Sequence, residues 1–202
     1  MLKGGIHMQI DFHYDVIYVL ARYAGFSREE AKIIAHSSQY VDDAENGGLI
    51  KFANYPFYYH IRTAHGMIDK SNFNVAEDFN SWVPFHFLPG SISAKEKEIE
   101  TSFVSRLLCR ENSQIAKEMM EECILGKNDY NGLHRLGLSL HVYADTWAHQ
   151  NFAGIADKIN RTKDIHIMNK ETGIFEEISI GIKSKIADVE SILTDKVLPL
   201  GH

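Results

Sequence analysis

Two cysteines among 202 residues are too few for a disulfide framework. Cys109 and Cys123 flank a helical pattern and form no CxxC pair, so free thiols in a reducing, cytoplasmic setting are expected. No run of Lys or Arg occurs and the net charge is −6, which argues against grip on a nucleic-acid backbone as the main role. No long apolar run occurs either. The opening MLKGGIHMQIDFHYDVIYVL is broken by Asp11, His13 and Asp15, so neither a signal peptide nor a membrane span is expected. Several catalytic patterns are missing too. There is no HExxH pair, no G-x-S-x-G elbow and no phosphate-binding glycine loop. No His has a Glu three residues before it, and none is followed directly by Asp, which excludes the Glu-x-x-His pairs of di-iron bundles and the His-Asp dyad of one class of phosphohydrolases.

What the chain does have is eleven His, scattered and often set in apolar surroundings. The segment LGLSLHVYADTWAHQNF places His141, Asp145 and His149 at successive steps of four. Each such step turns only about 40° around a helix axis, so the three side chains form one stripe. Two imidazoles and a carboxylate on one stripe can close around a divalent metal. They can equally form a buried polar seam, with Asp145 accepting from both rings.

Four further segments carry candidate ligands: His13 in DFHYDV, Asp42 and Asp43 in SSQYVDDAEN, His86 in WVPFHFLPG, and His202 in VLPLGH. Each has an ordinary reading as a satisfied core residue, a solvated helix end or a chain terminus. Together with the central stripe they supply more N and O ligands than one ion needs, which points to a multinuclear site. His36, His60 and His65 are weaker candidates, His134 could line the seam without binding, and His7 and His166 read as surface residues.

The periodicity predicts a mainly α protein, read as a single helical domain over 1–202. Helices are expected over Asp11 to Ala24 with Gly25 as a stop, from the capping box SREE at Ser27 to about Asp43, over Ser93 to Arg110, Asn112 to Leu125, Asn131 to Asn151 and Lys183 to Val197. Residues 47 to 92 are aromatic-rich and without clear period, punctuated by Pro56, Pro84 and Pro89. IHIMNKETGIFEEISI alternates about a Gly-containing turn and predicts one small β-hairpin.

LGLSLHVYAD resembles the LGLSLHYLGD segment of the secreted bacterial zinc-dependent phospholipases C, whose mainly helical fold is shared with the S1/P1 nucleases and holds three zinc ions. The order of the other motifs is similar. His13 matches an early helical ligand, YVDDAEN matches a YAADYEN-like segment and puts Asp43 on the ion, and HFLP puts His86 there. The resemblance covers roughly residues 11 to 152. The chain also resembles an uncharacterised bacterial family with the signatures SSQYVDD, VPFHFLPG and HxxxDTWAHQ. It departs from the phospholipases in lacking their N-terminal Trp ligand and their late HxxxE pair, and its Asp–His spacing in the central helix is shorter.

The resemblance implies a helical bundle of that type and a phosphoric ester hydrolase using two or three zinc ions, or other divalent metals. Terminal ligands would be His13, Asp43, His86, His141 and His149, with His202 completing the second ion. Asp145 would bridge, Asp42 would be the base, and Tyr14, Tyr40 and Trp147 would shape the pocket. The substrate would be a small phosphoester or a phospholipid. The rival expectation is a non-catalytic helical protein that keeps a metal for stability, or none, and binds a partner through the aromatic 47–92 segment.

Overall fold

The computed structural model describes residues 11–53, 56–64, 78–90, 103–155, 157–160, 166–168 and 175–177. Among these the fold is mainly helical, with short antiparallel strand pairs. A π-helical turn, Asp11–Val16, leads into α1, Ile17–Tyr23. Gly25 ends it at φ 95°, a left-handed conformation that glycine adopts without strain. The predicted capping box then opens α2, Arg28–Asp43: the Ser27 hydroxyl accepts from the Glu30 N–H, and the Ser27 N–H donates back to the Glu30 carboxylate.

Strands β1, Gly48–Ile50, and β2, Tyr58–His60, form a hairpin in a region where no strand was expected. Its strands are three residues long and its large side chains (Leu49, Tyr58, Tyr59) are exposed, so no apolar–polar alternation marked it. A second π-helical turn, Asp78–Trp82, runs into the single turn α3, Val83–Phe85.

Ser93 to Arg110 does not form the expected helix in its described part. A 3-10 turn, Val104–Leu107, gives way to bridges of Pro89 with Cys109 and of Leu108 with Ala153. The backbone there is engaged across the chain: Gly90 N–H donates to Leu108, Cys109 N–H to Phe152, and Asn151 N–H to Cys109. Helices α4, Gln114–Leu125, and α5, Gly132–Ala148, fall where the periodicity placed them. A 3-10 turn Lys158–Asn160 follows, and strands β3, His166–Met168, and β4, Phe175–Glu177, make the predicted hairpin. The expected helix Lys183 to Val197 lies outside the described residues.

α5 packs most extensively against α2, and also against α4, while α1 covers α2. The core between them is Ile17, Ala21, Ala31, Ile34, Ala35, Cys123 and Leu136. Small side chains let the helices approach closely. The nearest approach is at Gly137, where a Cβ would collide with the Ile34 carbonyl oxygen and lie 2.7 Å from the Ser37 Cβ. This contact fixes the register of α2 on α5, and so sets where the end of α2 meets the polar stripe of α5. No helix among the described residues is long and apolar enough to cross a membrane.

Candidate metal centre

The polar stripe of α5 faces inward. His141 and Asp145 are buried on the helix, and His149 is buried at its C-cap, where its N–H donates to the Asp145 carbonyl. Two more imidazoles enter from other elements. His13 comes from the first π-helical turn and His86 from the residue after α3, and each is 1 % exposed. The last turn of α2 adds Asp42 from the solvent side, 20 % exposed.

The four imidazoles converge on Asp145. Its Oδ2 lies 3.1 Å from His86 Nδ1, 3.3 Å from His141 Nε2 and 3.5 Å from His149 Nε2, and its Oδ1 lies 3.3 Å from His13 Nε2. His86 Nδ1 and His141 Nε2 are themselves 3.3 Å apart. Asp42 Oδ1 stands 3.6 Å from His141 Nε2 and 3.9 Å from His86 Nδ1. Aromatic contacts hold the rings: His13 stacks on His141 at 3.9 Å, His149 stacks on Phe87 at 4.3 Å, and Trp82 leans on His86 at 5.2 Å.

Hydrogen bonding alone accounts poorly for this packing. His86 Nε2 is 2.9 Å from the Thr63 carbonyl, which can only accept, so Nε2 carries a proton. A neutral His86 then presents a bare Nδ1 lone pair to a carboxylate oxygen and to a second imidazole nitrogen. The approach to the carboxylate is repulsive unless a cation lies between them, either a proton on Nδ1, which then donates to Asp145, or a metal ion. Asp145 Oδ1, although close to His13 Nε2, makes no hydrogen bond among the described residues. The spacing instead suits coordination, because ligand atoms about 2.0–2.2 Å from a tetrahedral zinc stand roughly 3.3–3.6 Å from one another. Two overlapping sets, His13–Asp42–His141 and His86–His141–Asp145, have ligand atoms close enough to hold an ion.

The electrostatics agree. Burial alone would raise the Asp145 pKa, but the imidazoles of His141, His13 and His149 hold it well below the usual carboxylate range. Burial pushes His86 down, yet the Asp145 hydrogen bond and the charges of Asp145 and Asp42 bring it above the ordinary His value. Burial lowers His141 and raises Asp42. The cluster is therefore a buried negative focus that attracts positive charge, as a proton or as a metal ion.

The structure brings together His13, His86, His141, Asp145 and His149 of the sequence candidates. It does not bring in Asp43, which the motif match placed on the ion. Asp43 is exposed and accepts from Gln39 Nε2 at 3.2 Å, and Asp42 stands at the cluster instead. His202, His65 and His7 lie outside the described residues. His134 is exposed and does not line the seam, and His36 is exposed beside Tyr40. Tyr14 packs on the helical core, while Tyr40 and Trp147 stand exposed. A cleft of about 620 Å³ between the first hairpin and Asn80–Phe85 is lined by Tyr59, His60, Arg62 and Ser81 and by none of the cluster side chains. Sequence reasoning missed Thr63, a small residue in an aperiodic segment with no signal of its own.

A mainly helical protein with four buried His around a buried Asp, and a second Asp at the solvent edge, is the class that fold and site define. The chain belongs to a family of unknown function, DUF6765, whose family model matches residues 8–202. No curated protein and no solved structure matches it.

Proposed function

We propose that the cluster is a zinc centre in which Asp145 bridges two ions, and that the protein is a phosphoric ester hydrolase akin to the zinc-dependent phospholipases C and S1/P1 nucleases. The observation that carries this reading is the convergence of four imidazole nitrogens on the two oxygens of one buried carboxylate. Such a donor set suits zinc better than magnesium or calcium, which prefer all-oxygen shells. Bound divalent ions would acidify a water and neutralise phosphate oxygens.

His13, His86, His141 and His149 would hold the ions. Asp42 is the one member of the cluster that reaches solvent, so a phosphoester enters past it. Burial raises its pKa, which suits a group that takes a proton from the attacking water. The phosphorus–oxygen bond to the leaving alcohol breaks as the new one forms, and the departing oxygen collects a proton. His202 is the remaining candidate for the second ion. A reducing, cytoplasmic setting fits Cys109 and Cys123, which are free and buried.

The second reading is a closed structural metal site in a partner-binding protein. The near-complete burial of the four imidazoles favours it, as does the exposed apolar surface of Leu49, Phe57, Tyr58, Tyr59 and Ile61. The deciding measurement uses metal-loaded full-length protein. Cobalt-substituted protein whose visible spectrum shifts with inorganic phosphate, and which hydrolyses a nitrophenyl phosphoester or a short-chain phospholipid, supports the hydrolase. A spectrum blind to phosphate, with no turnover on either substrate, supports the closed site.

A further inference from the structure

We infer that Thr63 is a positioning residue of the metal centre, because it joins the carboxyl end of α2 to His86 through both its side chain and its backbone. This rests on the metal reading above. The Thr63 hydroxyl donates to the Val41 carbonyl at 2.7 Å, one residue before Asp42. The Thr63 N–H donates to the Ala44 carbonyl at 3.1 Å, and the Ala64 N–H shares that acceptor at 3.4 Å. The Thr63 carbonyl in turn accepts from His86 Nε2 at 2.9 Å. Two donors from one residue thus grip the turn that carries Asp42, while its acceptor sets the ring of His86.

The consequence is chemical as well as mechanical. An imidazole has one ligating lone pair when neutral, and the hydrogen bond at its other nitrogen decides which atom carries that pair. By holding the proton on Nε2, the Thr63 carbonyl leaves Nδ1 to face Asp145 and His141. His13, His141 and His149 present Nε2 to the same carboxylate, so His86 is the exception that needs a dedicated partner. Without the hydroxyl tether, only the N–H bonds to Ala44 hold the segment carrying that carbonyl on α2, and its height above Val41 is no longer fixed. His86 and Asp42 then lose their mutual register, although neither has changed.

The experiment compares full-length wild type, Thr63→Ser and Thr63→Val, each stripped of metal and titrated with Zn²⁺ against a chromophoric chelator. Thr63→Ser keeps the donor and should bind within a fewfold of wild type. Thr63→Val keeps the shape but not the donor and should bind about 10–100-fold more weakly, the range found when a partner of a ligand is removed. Ser27→Ala, a cap variant remote from the cluster, controls for general destabilisation and should leave the affinity unchanged. Nitrogen-15 imidazole spectra of zinc-loaded wild type should show His86 protonated on Nε2, and this measurement decides the matter should Thr63→Val fail to fold. Wild type that takes up Zn²⁺, with Thr63→Val binding equally well or with His86 protonated on Nδ1, overturns the role of Thr63 alone. Wild type that takes up no Zn²⁺ overturns the metal reading and this inference with it.

Discussion

Asp145 faces four imidazoles and brings a negative charge to the centre of the cluster. Replacing it by Asn removes the negative charge and leaves one neutral carbonyl oxygen where two carboxylate oxygens could each reach an ion. Asp145→Asn should therefore weaken Zn²⁺ binding by more than about a hundredfold, beyond the range of an outer partner. Asp42→Asn acts at the half-open edge, where solvent can substitute, and should weaken binding less. Equal zinc content in the two variants would remove the bridging role from Asp145. The ordering also shows the limit of a linear motif. Asp42 and Asp43 are adjacent in sequence but about 100° apart around a helix. Which one meets the cluster depends on how α2 is rotated against α5, and the motif YVDDAEN does not encode that rotation. The central stripe was legible because its own period defines a face, whereas His13 and His86 gained weight only from their order along the chain. The thiols allow a second prediction. Burial pushes the Cys109 thiol up to about 12, and Cys123 is buried with its sulfur 3.0 Å from the Ser139 hydroxyl. Only the thiolate reacts, so a disulfide reagent at pH 8 should label almost no thiol in the folded protein and both in denaturant. Rapid labelling of one thiol in the native state would contradict this burial.

The α2–α5 crossing is the element contact on which the site depends, and Gly137 is where it can be broken. Alanine at an ordinary helix position gains about 1 kcal/mol over glycine. Here the added methyl meets a backbone carbonyl, which no rotamer change can move aside. Overpacking of this kind costs about 1–3 kcal/mol and should outweigh the propensity gain. Gly137→Ala should therefore melt several degrees lower and also bind zinc more weakly, because the Asp42 turn is displaced from His141. Ser27→Ala, which removes a cap worth about 1 kcal/mol, should lower the melting temperature without touching zinc affinity. If Gly137→Ala melts at or above the wild-type temperature, the close approach is not as drawn. The helices α1, α2 and α4 were legible because each combines a 3.6-residue period with a stop or cap, such as Gly25, Ser27 or Ser113, and α5 was legible from its apolar period alone. The segment Val104–Arg110 was not, because its backbone pairs with Gly90, Asn151 and Phe152, which are distant in sequence and leave no local trace. The first hairpin escaped for the opposite reason: its side chains are not sorted by face, so the period that betrays a strand is missing.

The cluster gathers its His and Asp side chains from the turn before α1, the end of α2, the end of α3 and the length of α5, so it ties together segments from residue 13 to residue 149. An ion that binds this arrangement has no comparable site in the unfolded chain, where the same side chains are dispersed. Binding must then stabilise the fold by mass action, by about 4 kcal/mol when free zinc is a thousand times its dissociation constant. For a chain of this size each kcal/mol moves the melting temperature by about 2–4 °C, so loading should raise it by roughly 8–16 °C over chelator-treated protein. The effect should fade in acid. Protons compete with the metal for imidazole, and His86, held above the ordinary His value by Asp145 and Asp42, is lost to protonation before His141 as pH falls. His141, whose pKa burial lowers, stays neutral further into acid. Zinc should thus raise the melting temperature at pH 8 and much less at pH 5.5, while Asp145→Asn should show a much smaller zinc-dependent shift than wild type at pH 8. Scanning calorimetry with and without Zn²⁺ at the two pH values checks this. A shift of the same size in wild type and Asp145→Asn would place the bound ion somewhere other than this cluster.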